Sequence, residues 1–185
     1  AKIAAKYGYD KFGGGCHMIP NHALIIHALL HGDGGFQKSQ MIVNTCGWDT
    51  DCNAANVGCI LGVAGGLTSL GAGPDFRGPV ADRLLLPTAD GGRCISDALA
   101  EADRLTATAH RMRGLTWEAP KSGARFHFSL PGSVQGWRAS EKPGCAGALT
   151  VENQGGALSL KARDIAPGRT GLAATPTFLS KKQLG

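Results

Sequence analysis

Residues 46–59 read CGWDTDCNAANVGC, and the run continues as ILG to Gly62. Its first half crowds two acids, Asp49 and Asp51, between thiols, and its second half is made of small and apolar residues. Two carboxylates one residue apart can aim their oxygens at a common cation, and such hard donors suit Mg²⁺, Mn²⁺ or Ca²⁺. The plainer role is capping, in which Asp51 or Asn53 accepts the free N–H groups of a following helix while the acids complement its dipole. One acid would serve for that. DTDCN also begins like the calcium loop D-x-D-x-N, but Ala54 stands where that loop needs Gly and Ile60 where it needs a bidentate Glu. Cys46, Cys52 and a histidine lack the spacing of a zinc module.

Working outward, PNHALIIHALLH over 20–31 places Leu24, Ile25, Ala28 and Leu29 at helical spacing, with Pro20 suited to a first turn and Gly32 to a stop. FQKSQMIVNTC, 36–46, predicts a second helix that puts Phe36, Gln40 and Val43 on successive turns, and Gly47 ends it. The two acids then fall in a loop, and 53–70 reads as a third helix packed in the interior, its later part prone to kink because it holds four glycines. Residues 95–112 carry a stripe of Ile95, Ala98, Leu99, Ala102 and Leu105, with Ser96 or Asp97 as cap. Beyond Leu115 the character changes. ARFHFSLPG alternates, ALTVENQGGALSLKARDI reads as two strands joined by Asn-Gln-Gly-Gly, and GLAATPTFLS as another. The expected organisation is a helical domain over 1–113 and a β module over 114–185, with WEAPKSG as linker and too few strands to close a sandwich.

The chain has 185 residues and a net charge of +5, but its Lys and Arg are dispersed, so no specific nucleic-acid partner is expected. The six cysteines show no C-x-x-C pairing, which points to reduced thiols. No uninterrupted apolar run or signal-like order is found, so no membrane partner and a cytoplasmic location are expected.

The pattern G-W-D-T-D-C-N-A-A-x-V-G-x-I-L-G, 47–62, resembles the C-terminal metal motif of the ADP-ribosylglycohydrolase family, usually G-G-D-T-D-T before an Ala-rich helix. GDGGF at 32–36 fits as well. The resemblance covers 16–75 strongly and 76–113 more loosely. It implies an all-α fold with a pair of Mg²⁺ ions, Mn²⁺ being an alternative, that cleaves the glycosidic bond of ADP-ribosylated substrates. Carried over, Asp49 and Asp51 are metal ligands. Cys52 stands where the family offers a Thr or Ser oxygen, so it is a spectator, or water or backbone replaces it, or the metal preference shifts toward softer ions. The family's N-terminal Gly-Asp motif and further acidic segment have no counterpart, since Asp10 has the wrong surroundings and Asp33 belongs to a turn. The expectation is therefore a C-terminal portion of a longer parent chain, inactive without that parent's N-terminal half. The alternatives are a non-catalytic member of the fold and a carbohydrate-binding role for the β module.

Around the acids, Trp48 is expected to stack on adenine or to wall the cleft, and Asn21 to cap its helix or face the substrate. His17, His22, His27 and His31 invite a metal reading, but 22, 27 and 31 do not share one helix face, so they read as solvated or core residues. Ser133 lacks a nucleophile frame and reads as a turn residue. Trp117 and Trp137 belong to the β core or mark a sugar-binding face.

Overall fold

The computed structural model describes residues 2–85 and 94–177. The chain divides into two compact units, Ala1–Phe76 and Arg77–Gly185. The first holds α1 (Lys2–Tyr7), α2 (Met18–His31), α3 (Phe36–Thr45) and α4 (Thr50–Gly71). Leu24 and Ala28, one turn apart on α2, are buried, as the spacing requires. Ala28 joins Phe36 and Val43 of α3 and Val57 and Leu61 of α4 in the core, with Ile25, Leu29, Ile42 and Ala54 at its margin. Pro20 lies buried in the first turn of α2, where its missing N–H costs nothing.

α4 begins three residues before the expected start, so Asp51 and Cys52 sit in its first turn rather than in the loop. It is also not the interior helix expected. Only Asn53, Val57 and Leu61 are buried, while Ile60, Leu67 and above all Val63, 90% exposed, face outward. Most of its small residues thus do not serve close packing. Gly58 does: a Cβ there would stand 2.9 Å from the Gln40 Nε2 that donates to the Ala54 carbonyl. The expected kink falls at Gly66, whose φ of 61° and ψ of −162° break the helix. By length and composition alone α4 is long and apolar enough to cross a bilayer, which corrects the reading that no segment reaches that length.

The second unit contains β1 (Arg83–Leu85), β2 (Ile95–Asp97), α5 (Ala98–Met112), β3 (Arg138–Ala139), β4 (Leu149–Gln154), β5 (Ala157–Ala162) and β6 (Ala173–Ala174). The helix expected from 95 starts at Ala98, because 95–97 pair antiparallel with β1. Asp97 caps it, accepting from the Ala100 N–H at 2.9 Å. The buried Asp97 carboxylate also pairs with Arg125 and accepts from Gln135 Nε2. Gln135 Oε1 in turn receives the N–H groups of His127 and Phe128. Those bonds, with Phe128 at a left-handed φ of 52°, hold 126–129 as coil despite its alternating pattern. Ser133 is a buried turn residue, as expected. The segment read as a linker, WEAPKSG, lies within the second unit, where Trp117 Nε1 donates to Asp103 on α5 and its ring packs on His110. The expected hairpin forms, β4 pairing with β5, but Asn153 and Gln154 are paired within β4 and the turn is Gly155-Gly156 alone. β3 pairs with β6, so the described residues hold three two-stranded sheets rather than a sandwich. Of the expected last strand only Ala173–Ala174 pairs, and 178–180 lie outside the described residues, as do 86–93 of the apolar segment that follows residue 80.

Candidate metal centre

The loop between α3 and α4 is built by two left-handed residues. Gly47, at φ 78°, turns the chain out of α3, and Asp49, at φ 42° and ψ 52°, turns it into α4. Asp is among the few side chains that accept this region at modest cost. Trp48 between them does not have positive φ, which is why a large residue is tolerated there. Asp49 occupies the N-cap position yet makes no capping bond with its side chain. Its Oδ2 instead accepts from Asn21 Nδ2 at 2.8 Å. Asn21 is buried on α2, and its Oδ1 accepts from Asn53 Nδ2, which also donates to the Trp48 carbonyl at 2.9 Å. The two amides thus tie α2, the loop and α4 together and fix the Asp49 carboxylate. Neither Asp51 nor Asn53 acts as the cap.

The carboxylates of Asp49 and Asp51 and the Cys52 thiol lie within 4.8 Å of one another. Asp49 and Cys52 line a cleft of about 510 Å³. Its polar lining includes Cys16, Asn21, Asn53 and Asn56, and its apolar lining includes Ile25, Ile26, Leu29 and Ile60. Cys16 follows three glycines, takes a left-handed φ of 55°, and donates its backbone N–H to the Tyr9 hydroxyl. Both thiols record the field of the acids. The Cys52 thiol is raised above its ordinary pKa by hydrogen bonding to Asp49, then by the charges of Asp49 and Asp51, burial and Cys16. Cys16 is raised by the charge of Asp49, then by burial, its hydrogen bond to Asp49 and the charge of Asp51. Two carboxylate oxygens converging within 4.8 Å of each other are a donor set that fits a dication.

Trp48 lines a different cleft, about 400 Å³, with Ile3, Leu24 and His27, and Tyr9 stacks on it at 5.2 Å. Asn21 is engaged at both ends of its amide. His22 reaches the cleft of the acids, His17 packs edge-on to Tyr9, and His27 lies against His31, but none joins the three-donor group. Asp33 sits in an exposed turn paired with Lys38, whose hydrogen bond and charge lower its pKa. Sequence reasoning missed Cys16, Asn53 and Asn56 as lining residues. For Asn53 and Asn56 the available signal was their spacing of one and two helical turns from Asp49. For Cys16 there was none.

Comparison with curated proteins and with solved structures gives no match. A family model described as ADP-ribosylglycohydrolase matches residues 2–118, more than half of the chain and including both acids, Cys16 and Asn21. The chain belongs to the ADP-ribosylglycohydrolase family.

Proposed function

We propose that this cleft is one side of a hydrolase site that cuts the glycosidic bond between an ADP-ribosyl group and its acceptor, with Mg²⁺ or Mn²⁺ held by Asp49 and Asp51. The observation that carries the reading is the convergence of three ligand atoms within 4.8 Å beside a carboxylate pinned by a buried amide. A dication there supplies Lewis-acid polarisation and a more acidic water. The chain's own residues do the rest. Asp49 and Asp51 present the negative charge that retains the cation, and Asn21 keeps Asp49 in one rotamer. Ile25, Ile26, Leu29 and Ile60 exclude water from one wall, and Asn56 offers an amide to a substrate hydroxyl or phosphate. Trp48, stacked on Tyr9, lines the neighbouring cleft and is proposed to wall the loop that carries Asp49.

Two carboxylates are few for a pair of hexacoordinate ions, so the remaining acidic ligands belong in this proposal to the N-terminal half of a parent chain, without which residues 1–185 hydrolyse little. Large apolar side chains left in solvent on α2 and α4, Leu30 and Val63 among them, support a further covering element. A domain boundary between 113 and 114 and a reducing, cytoplasmic location are kept as parts of the same proposal, the latter supported by six free thiols.

The test is hydrolysis of an ADP-ribosylated substrate by the parent chain titrated with Mg²⁺ and Mn²⁺. Asp49→Asn and Asp51→Asn should each weaken metal activation roughly 100-fold or more, and Asn21→Ala by roughly 10–100-fold. Full activity in both acid variants would show that the loop is structural, as in a non-catalytic member.

A further inference from the structure

The second unit carries a pocket that the metal chemistry does not use. Its volume is about 190 Å³, and most of its lining, including Arg125, Gln135 and Thr175, lies beyond residue 118, where the family match ends. Two arginines line it, and no acidic side chain does. Arg125 is offset by the buried Asp97 carboxylate, with which it pairs, and its guanidinium lies 4.6 Å from the centre of the Phe126 ring. Arg83, partly buried on β1, donates its Nε to the Gly136 carbonyl at 2.9 Å, and no carboxylate pairs with it among the described residues. Arg138 brings more charge of the same sign, its Nη2 donating to the neutral Pro79 carbonyl. Burial lowers the Arg83 pKa below its ordinary value, and the charge of Arg138 lowers it further. A guanidinium stays charged even so, and the pocket therefore holds positive charge without a counter-ion. Gly136, at φ 86°, keeps the place open, because a Cβ there would stand 2.9 Å from Thr175 Oγ1 and 3.4 Å from Arg83 Cγ.

We propose that this pocket binds the phosphate group of a phosphorylated ligand, with Arg83 and Arg125 as its cationic donors and Thr175 and Thr177 as its hydroxyl donors. All four residues belong to the second unit, so the site stands independently of the metal reading. The space is smaller than the roughly 300–1,000 Å³ of pockets that enclose a whole small ligand, and it suits a free anion or the anionic end of a larger molecule. Arginine's planar fork matches oxyanion geometry with two parallel N–H donors. A phosphate group offers at least three oxygens to the two guanidinium groups and the two hydroxyls. A carboxylate has only two oxygens and leaves more of those donors unmatched. Because Asp97 already offsets Arg125, the charge left over is that of Arg83 with Arg138 beside it, which attracts a dianion more strongly than a monoanion. A bound phosphate also returns to Arg83 the favourable interaction that burial takes away.

The experiment is a calorimetric titration of the 185-residue chain with inorganic phosphate, after metal has been stripped by a chelator and the chelator dialysed away, so that no cation bridges the anion. One equivalent should bind, and added chloride should weaken it. Arg83→Met keeps the stem and removes the charge, and it should weaken binding about 10-fold or more. Arg83→Lys should fall between that variant and the unchanged chain, because a point charge replaces the fork. Thr175→Val, which keeps the side-chain shape, should weaken binding roughly 3–10-fold. Arg163→Met, at an exposed arginine of the same unit, should leave it unchanged. Circular dichroism confirms that the variants fold, and Thr175→Val decides the matter where Arg83→Met does not. Acetate bound as tightly as phosphate would overturn the assignment to a phosphate group. No binding of phosphate by the unchanged chain, or equal binding by it, Arg83→Met and Thr175→Val, would overturn the site itself.

Discussion

Asp49 meets two demands with one side chain. Its backbone must hold a left-handed conformation, and its carboxylate must face the cleft under the Asn21 amide. Asparagine satisfies the first demand and can still accept from Asn21, but it carries no charge. Asp49→Asn should therefore keep the stability of the metal-free chain within about 0.5 kcal/mol, whereas Asp49→Ala should lose about 1–2 kcal/mol for the backbone alone. Urea unfolding in the presence of a chelator measures both, and equal losses would sink the argument. The spacing of Asp49 and Asp51 was legible in the sequence because neighbours in a chain stay neighbours in a fold. Cys16 was not, since a thiol after three glycines carries no period and no motif. What brings it to the acids is a coil held by tertiary contacts of Tyr9, which no local pattern encodes.

The elements show the same division between local and distant causes. α2 and α3 were readable nearly to the residue, because an apolar stripe at helical spacing is its own evidence and Gly32 and Gly47 mark the ends. The start of α5 was half readable, Asp97 being one of the two caps offered, whereas the pairing of 95–97 with β1 and the coil at 126–129, held by Gln135, depend on partners far along the chain. In α4 composition misled, since glycines that look alike in sequence differ in surroundings. A Cβ at Gly62 meets nothing within 4 Å and its backbone is helical, while Gly66 has a φ and ψ reserved almost wholly for glycine. Gly62→Ala should stabilise the first unit by roughly 0.5–1 kcal/mol, and Gly66→Ala should destabilise it by about 1–3 kcal/mol. Denaturant midpoints followed by circular dichroism decide the matter; shifts of the same sign would contradict it.

At the scale of the whole molecule, each compact unit has buried residues of its own, and the site acids lie wholly in the first. Val57 is fully buried among Phe36, Val43 and Leu61, so Val57→Ala should cost the first unit about 2 kcal/mol. Trp48 reports on that unit, and Trp117 and Trp137 on the second. Single-tryptophan variants should show the Trp48 transition moving to lower denaturant while that of Trp137 stays in place. Coincident shifts would mean that the units unfold as one. The expected partial sandwich is not what the described residues form: their strands pair only two by two, most of them two or three residues long, and side-chain networks around Asp97 and Gln135 help to order the second unit.

The break at Gly66 sets a clock on α4. Hydrogen bonds before it are shielded by Val57 and Leu61 in the core, whereas those after it belong to a short terminal stretch with a largely exposed surface. Opening of the two stretches need not coincide, so deuterium should enter the amides near Ser69 well before those of Val57 and Leu61. The loop that carries Asp49 then belongs to the slow half, and its carboxylate keeps its place through many openings of the far end of its own helix.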